Sequence, residues 1–181
     1  TLPAHSGGAG AGLGFAKAMV TEGVGMIAAG DRAPDFTLDG VTGDGGTRRT
    51  FSLAEFRGAP VVLVFYPADN SMVCTAQLRS YTDDMSAFDG VGAHVLAISP
   101  QSVDDHARFA TKNGGFGFPL LADSDKDVGR AYEILGPIGF YRRSVFVIDG
   151  AGIVRWARRA AAGLTFRPVD EIVEAVRSIG A

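Results

Sequence analysis

Pro67, Ser71 and Cys74 stand in the stretch Pro67-Ala68-Asp69-Asn70-Ser71-Met72-Val73-Cys74, between one apolar run and another. A cysteine does chemistry as its thiolate, which needs an electropositive setting to form and to react. Cys74 is the single cysteine of the chain. A lone cysteine is more often a small buried hydrophobe, and what separates the two readings here is position. Pro60-Val61-Val62-Leu63-Val64-Phe65 has the continuous apolarity of a strand covered on both faces. Pro67 ends it, because proline lacks a ladder N–H and fixes its own φ. From Cys74 to Phe88, the residues Leu78, Tyr81, Met85 and Phe88 recur at helical spacing. With Ser71 as the helix-start residue, Cys74 falls in the first turn. Unpaired N–H groups and the positive end of the helix dipole there favour an anion.

Pro67-x-x-x-Ser71-x-x-Cys74 resembles the signature of the peroxiredoxins, in which a proline, a threonine or serine and the peroxide-reacting cysteine share this spacing. Cys74-Thr75-Ala76-Gln77 is similar to the bacterioferritin-comigratory-protein branch of that family. The resemblance runs from about Gly30 to the C-terminus, through Ala33-Pro34-Asp35-Phe36-Thr37-Leu38, Ala97-Ile98-Ser99, Phe118-Pro119-Leu120-Leu121-Ala122-Asp123 and Arg143-Ser144-Val145-Phe146-Val147-Ile148-Asp149. It implies a thioredoxin-like fold and attack of a cysteine thiolate on a peroxide O–O bond, with a sulfenic acid as product.

Magnitudes constrain that chemistry. An ordinary cysteine thiol, with a pKa of about 8.5, is roughly 3% ionised at pH 7, so complete ionisation gains only about thirtyfold. Nucleophilicity falls along with the pKa and erodes part of the gain. Fixed donors must therefore also stabilise charge building on the two oxygens. The resemblance implies that Arg143 is that cationic donor; Arg142 is the competitor one residue away. Alternate strand residues face opposite ways, and Arg143 matches the family motif by register. Ser71 stands where the family usually has threonine; its hydroxyl could serve the peroxide, cap the helix, or do both. By the same resemblance Pro67 shields the sulfur, and Gln77, one helical turn beyond Cys74, orients Arg143. A strand terminator and a solvated helix glutamine are their plain alternatives.

The chain departs from the branch in one respect. A resolving cysteine often lies five residues beyond the first, and Arg79 stands there in this chain. A sulfenic acid at Cys74 then needs an external thiol reductant of the thioredoxin, glutaredoxin or low-molecular-weight-thiol type. A dithiol–disulfide oxidoreductase would need Cys-x-x-Cys, which is absent. A peroxide sensor or binding module without turnover is the alternative function on the same scaffold.

At 181 residues, 46% hydrophobic and with a formal charge of −3, the chain has the length of one domain and an ordinary core. No charge excess points to nucleic acid or a membrane surface. No run of about 18 apolar residues predicts a membrane span. One cysteine fits a reducing compartment, and a cytoplasmic location is expected. His5, His94 and His106 have no metal-ligand spacing with the cysteine, so neither metal nor cofactor is expected. His94 on a strand and His106 on a helix read as surface or satisfied core residues. Asp83, Asp84, Asp104 and Asp105 read as helix-surface acids, and Arg155, Arg158 and Arg159 as a solvated strand edge. Monomer and homodimer are both open.

The elements that must position these residues follow in order. Residues 1–29 are rich in Gly and Ala, and Gly12, Gly14, Gly23 and Gly25 interrupt any helix, so a mobile extension is expected ahead of a domain over 30–181. Strands are predicted at Asp35–Leu38, Thr47–Thr50, Pro60–Phe65, Ala93–Ser99, Phe118–Ala122, Ser144–Ile148 and Ile153–Ala157. Asp149-Gly150 would make the turn between the last two. Helical segments are predicted as a turn over Phe51–Phe56, from Cys74 to Phe88, from a Ser102 cap to Lys112, from Ser124 or Asp125 to Leu135, and after Pro168. Strands alternating with helices imply a three-layer α/β/α sandwich around a mixed central sheet. The resemblance sharpens it to thioredoxin-like.

Overall fold

The structure, a computed structural model, describes residues 26–161 and 164–180. The apolar run before Pro67 forms β3 (Val61–Phe65), buried at every position. It pairs in parallel with β4 (His94–Ser99) and antiparallel with β6 (Ser144–Ile148). Outward from β4 come β5 (Leu120–Ala122, parallel), β1 (Thr37–Val41) and β2 (Arg48–Ser52), the last two joined antiparallel. On the other side β7 (Val154–Arg159) closes the sheet against β6. The result is a mixed seven-stranded sheet in the order β2-β1-β5-β4-β3-β6-β7.

Both faces of the central strands are apolar, so both must be covered. Val62, Val64, Val145 and Val147 point to one face and pack with α1 (Met72–Asp83), α2 (Met85–Gly90), α3 (Val103–Lys112) and α5 (Val169–Arg177). Leu63, Phe65, Phe146 and Ile148 point the other way, toward α4 (Asp127–Ala131) and the 3-10 turn Leu53–Phe56. This is the thioredoxin-like three-layer arrangement. Each side chain so buried contributes about 1.5–3 kcal/mol relative to exposure.

Local signals set several elements as read. Ser102 Oγ accepts the Asp105 N–H at 3.1 Å and starts α3 at Val103. Ser52 caps the 3-10 turn. Pro168 precedes α5, whose Val169, Ile172, Val173 and Val176 are buried.

Other elements differ from the sequence reading. The helix expected from Cys74 to Phe88 is two helices, broken at Asp84. Asp83 and Asp84 put negative charge on the negative end of the α1 dipole, which disfavours continuation. The helix expected to reach Leu135 is the short α4. Lys126 precedes it in left-handed backbone, the Asp123 carboxylate receives the Val128 and Gly129 N–H groups, and left-handed Glu133 (φ 56°) lies just beyond its end. The Asp149-Gly150 turn is a longer loop, closed by Asp149 Oδ1 accepting from Ala151 and Ile153 N–H. In the basic edge, Arg155 and Arg158 are exposed, but Arg159 is half-buried and donates to the Ile27 and Tyr132 carbonyls at 2.8 and 3.1 Å. The expected N-terminal extension lies outside the described residues up to Gly25. Ile27 N–H donates to Glu133 Oε2 at 2.6 Å, so the described end of that stretch is tied to the domain.

Candidate active site

Ser71 has extended backbone (φ −69°, ψ 138°) and α1 begins at Met72, which puts Cys74 in the first turn. Cys74, Gln77, Leu78 and Tyr81 are the buried residues of α1. Their i, i+3, i+4, i+7 spacing places cysteine and glutamine together on the face turned to the sheet. Ser71 contributes its carbonyl, which accepts from Thr75 N–H at 2.9 Å and Thr75 Oγ1 at 2.8 Å. Its hydroxyl makes no capping hydrogen bond. Pro67 lies two residues past the end of β3, after Tyr66, and is half-buried.

The second element is the start of β6. Val145 and Val147 face the α1 side, so residue 143 shares that side and residue 142 does not. Arg143 is accordingly buried (4% exposed) and Arg142 is exposed. Arg143 Nη2 donates to Cys74 Sγ at 3.3 Å. Its Nη1 donates to Gln77 Oε1. Gln77 Nε2 donates onward to Tyr81 Oη at 3.3 Å, and that hydroxyl donates to the Arg167 carbonyl at 2.7 Å. Burial pushes the Tyr81 phenol up to about 12, so it stays a donor at neutral pH. The chain of bonds fixes the amide of Gln77, oxygen toward the guanidinium and nitrogen toward the phenol.

The sulfur itself is fully buried. A cavity of about 410 Å³ borders Arg143, together with Val145, Arg158, Phe166 and Arg167, but Cys74 does not line it. The site therefore joins a permanent cation to a sulfur screened from bulk water, where charge interactions are stronger.

The structure brings Cys74, Gln77 and Arg143 into contact. Tyr81, which the sequence marks only as an apolar position of the helix, and the Arg167 carbonyl extend the network. Tyr81 sits four residues after Gln77, a spacing that could have marked it, whereas nothing local marks the Arg167 carbonyl. His94 is exposed and His106 is wholly buried with hydrogen-bond partners. Among the described residues no cluster of His, Cys, Asp and Glu could hold a metal, and no helix is long and apolar enough to cross a membrane.

A thioredoxin-like sheet with a cysteine at the first turn of α1 and a guanidinium on its sulfur has the make-up of a thiol-dependent peroxidase. Comparison with known proteins gives the family. Residues 29–157 match the model of the AhpC/TSA family. A Synechocystis protein named as a peroxiredoxin is 33% identical over 162 residues, covering 85% of this chain and 79% of its own. Peroxiredoxin 2 of Thermoplasma acidophilum is 33% identical over 156 residues, covering 83% and 75%. The reduced 2-Cys peroxiredoxin of Plasmodium vivax superposes with a TM-score of 0.79 at 27% identity, covering 85% and 82%. The chain belongs to the AhpC/TSA family: it is a peroxiredoxin with a single cysteine, and an oxidoreductase of the thiol-peroxidase type.

Proposed function

We propose that Cys74 reduces hydrogen peroxide and organic hydroperoxides, and that an external thiol regenerates it. The single observation that carries this reading is the 3.3 Å contact between Arg143 Nη2 and Cys74 Sγ. A guanidinium there stabilises negative charge on sulfur and, as the reaction proceeds, on the peroxide oxygens. The thiolate attacks one peroxide oxygen and forms the S–O bond as the O–O bond breaks. The leaving oxygen departs with the bonding pair, takes a proton and becomes water or an alcohol, leaving Cys74 as the sulfenic acid.

In this reading Gln77 holds Arg143 against the sulfur, Ser71 offers its hydroxyl to the peroxide, and Pro67 limits access of water. With one cysteine in the sequence, a thiol RSH condenses with the sulfenic acid to a mixed disulfide and water, and a second thiol releases the enzyme. The reductant is a thioredoxin-, glutaredoxin- or low-molecular-weight-thiol-type donor. The enzyme works as a monomer or homodimer in the cytoplasm, with residues 1–29 as an extension to the catalytic domain.

One observation favours a second reading. Cys74 is fully buried, so a bulky thiol cannot reach its sulfenic acid without movement, and a sensor oxidised once per molecule needs no such access. Purified protein with hydrogen peroxide and excess thiol distinguishes the two. Steady turnover lost in Cys74→Ser supports the peroxidase; one burst of oxidation without turnover supports the sensor; peroxide consumption by Cys74→Ser at the wild-type rate removes both.

A further inference from the structure

The loop that leads to the Cys74 helix is held from behind by two buried side chains that the reaction does not use directly. Asp69 lies in the middle of that loop, and its side chain is 2% exposed. Its Oδ2 faces His106 Nδ1 at 2.8 Å, and its Oδ1 accepts the Tyr66 hydroxyl at 2.7 Å. Its backbone N–H donates to Gln101 Oε1 at 3.2 Å, and Gln101 Oε1 also accepts from Ser99 Oγ at 2.6 Å. The His106 side chain, on α3, is fully buried, and its Nε2 faces the Leu121 carbonyl of β5 at 3.1 Å.

Counting protons shows what this cluster contains. A carbonyl oxygen only accepts, so Nε2 carries a proton. The hydrogen bond between Nδ1 and Asp69 Oδ2 holds one more, shared between the two side chains. The Tyr66 hydroxyl keeps its own proton and donates it to Asp69. The cluster is therefore a hydrogen-bonded His–Asp pair in the core, joined to the residue after β3, to the segment after β4 and to β5.

A buried polar pair is a poor source of net stability, since desolvation offsets its attraction, and an apolar pair would often serve as well. Directional constraint is what this one supplies. Asn70, the next residue, takes the left-handed backbone (φ 60°) that asparagine accepts more readily than other non-glycine residues, and so turns the chain toward the helix. Ser71, the residue that opens α1, follows at once.

We infer that Asp69 and His106 are positioning residues for the peroxidase reaction: their buried pair sets the 67–70 loop so that the first turn of α1 presents Cys74 Sγ to Arg143. Neither residue touches the sulfur. The inference rests on Cys74 being the atom that peroxide oxidises.

The test compares the second-order rate of Cys74 sulfenic acid formation with hydrogen peroxide in wild type, Asp69→Asn, His106→Gln and the double variant. Each single change lowers the rate about tenfold or more, because sub-ångström misplacement of reacting groups is costly. The double variant is no slower than the slower single one, since both changes break one link. Val173→Ala, in the buried face of α5, is the control for lost stability and keeps its rate within about twofold. Proton NMR of the wild type finds a downfield resonance for the hydrogen bond between His106 Nδ1 and Asp69, lost in Asp69→Asn and kept in Val173→Ala. Single-variant rates within twofold of wild type, additive losses in the double variant, an equal loss in Val173→Ala, or a wild type without that resonance each overturn the inference. If wild-type Cys74 is not oxidised at all, the peroxidase reading itself fails, and this inference with it.

Discussion

Arg143 Nη2 lies 3.3 Å from Cys74 Sγ, although the residues are 69 positions apart in the chain. The contact joins the N-terminal turn of α1 to the residue before β6, on neighbouring parts of one sheet face. It requires β3 and β6 to be paired in the register Phe65↔Ser144. A slip of one residue in β6 would turn Arg143 to the opposite face and bring Arg142 in.

Arg143→Gln should lower kcat/KM for hydrogen peroxide by about 10²–10³, the usual cost of removing a fixed donor to a developing oxyanion. Arg143→Lys should recover only part of this, because an ammonium cannot serve Gln77 and Cys74 with two nitrogens. Arg142→Gln, altering an exposed side chain, should stay within about twofold of wild type. Stopped-flow peroxide kinetics check all three.

Gln77→Ala removes an acceptor of the buried guanidinium and a donor to Tyr81. A loss of about 1–3 kcal/mol in stability is expected from urea denaturation, the range for breaking a buried polar link. The peroxide rate should fall as well, because Arg143 loses its orientation.

Ser71 separates capping from catalysis. Its hydroxyl makes no capping hydrogen bond, so Ser71→Ala should leave Tm nearly unchanged while slowing peroxide reduction. Ser71→Thr should raise the rate severalfold, because the added methyl restricts the hydroxyl rotor. A thermal melt and a rate measured on the same samples decide it.

Gly43 is a packing requirement at the other end of the sheet. A Cβ there would sit 2.0 Å from the Phe116 carbonyl oxygen and 2.7 Å from that of Phe118, backbone atoms that cannot turn aside. Gly43→Ala should cost about 1–3 kcal/mol, as overpacking does, read from the denaturation midpoint.

Asp149 predicts a pH dependence. Burial works against its charge, but the Ile153 N–H, the Arg155 guanidinium and the Ala151 N–H outweigh it and hold the carboxyl below the ordinary aspartate range. A folded value below the unfolded one means the carboxylate adds stability above about pH 4 and loses it as pH falls through the folded value. The stability difference between wild type and Asp149→Asn should be constant from neutral pH to about pH 5 and shrink below about pH 4. Thermal melts across that range check it.

Short-range patterns were legible where one residue's neighbours in sequence are also its neighbours in space. The apolar run of β3, the Ser102 cap, the inner stripe of α5 and the alternation that sends Arg143 and Arg142 to opposite faces all follow from strand and helix periods of two and 3.6 residues. So did the place of Cys74 at a helix start, since Pro67 and Ser71 punctuate the chain locally. The family likeness rested on the same contiguous stretches. Tertiary structure alone decided the rest. It sealed the sulfur in the core. It also chose His106 for Asp69, 37 residues away, and the Arg167 carbonyl for Tyr81, 86 residues away. Such partners are selected by which elements pack together, and no local spacing of residue types encodes that choice.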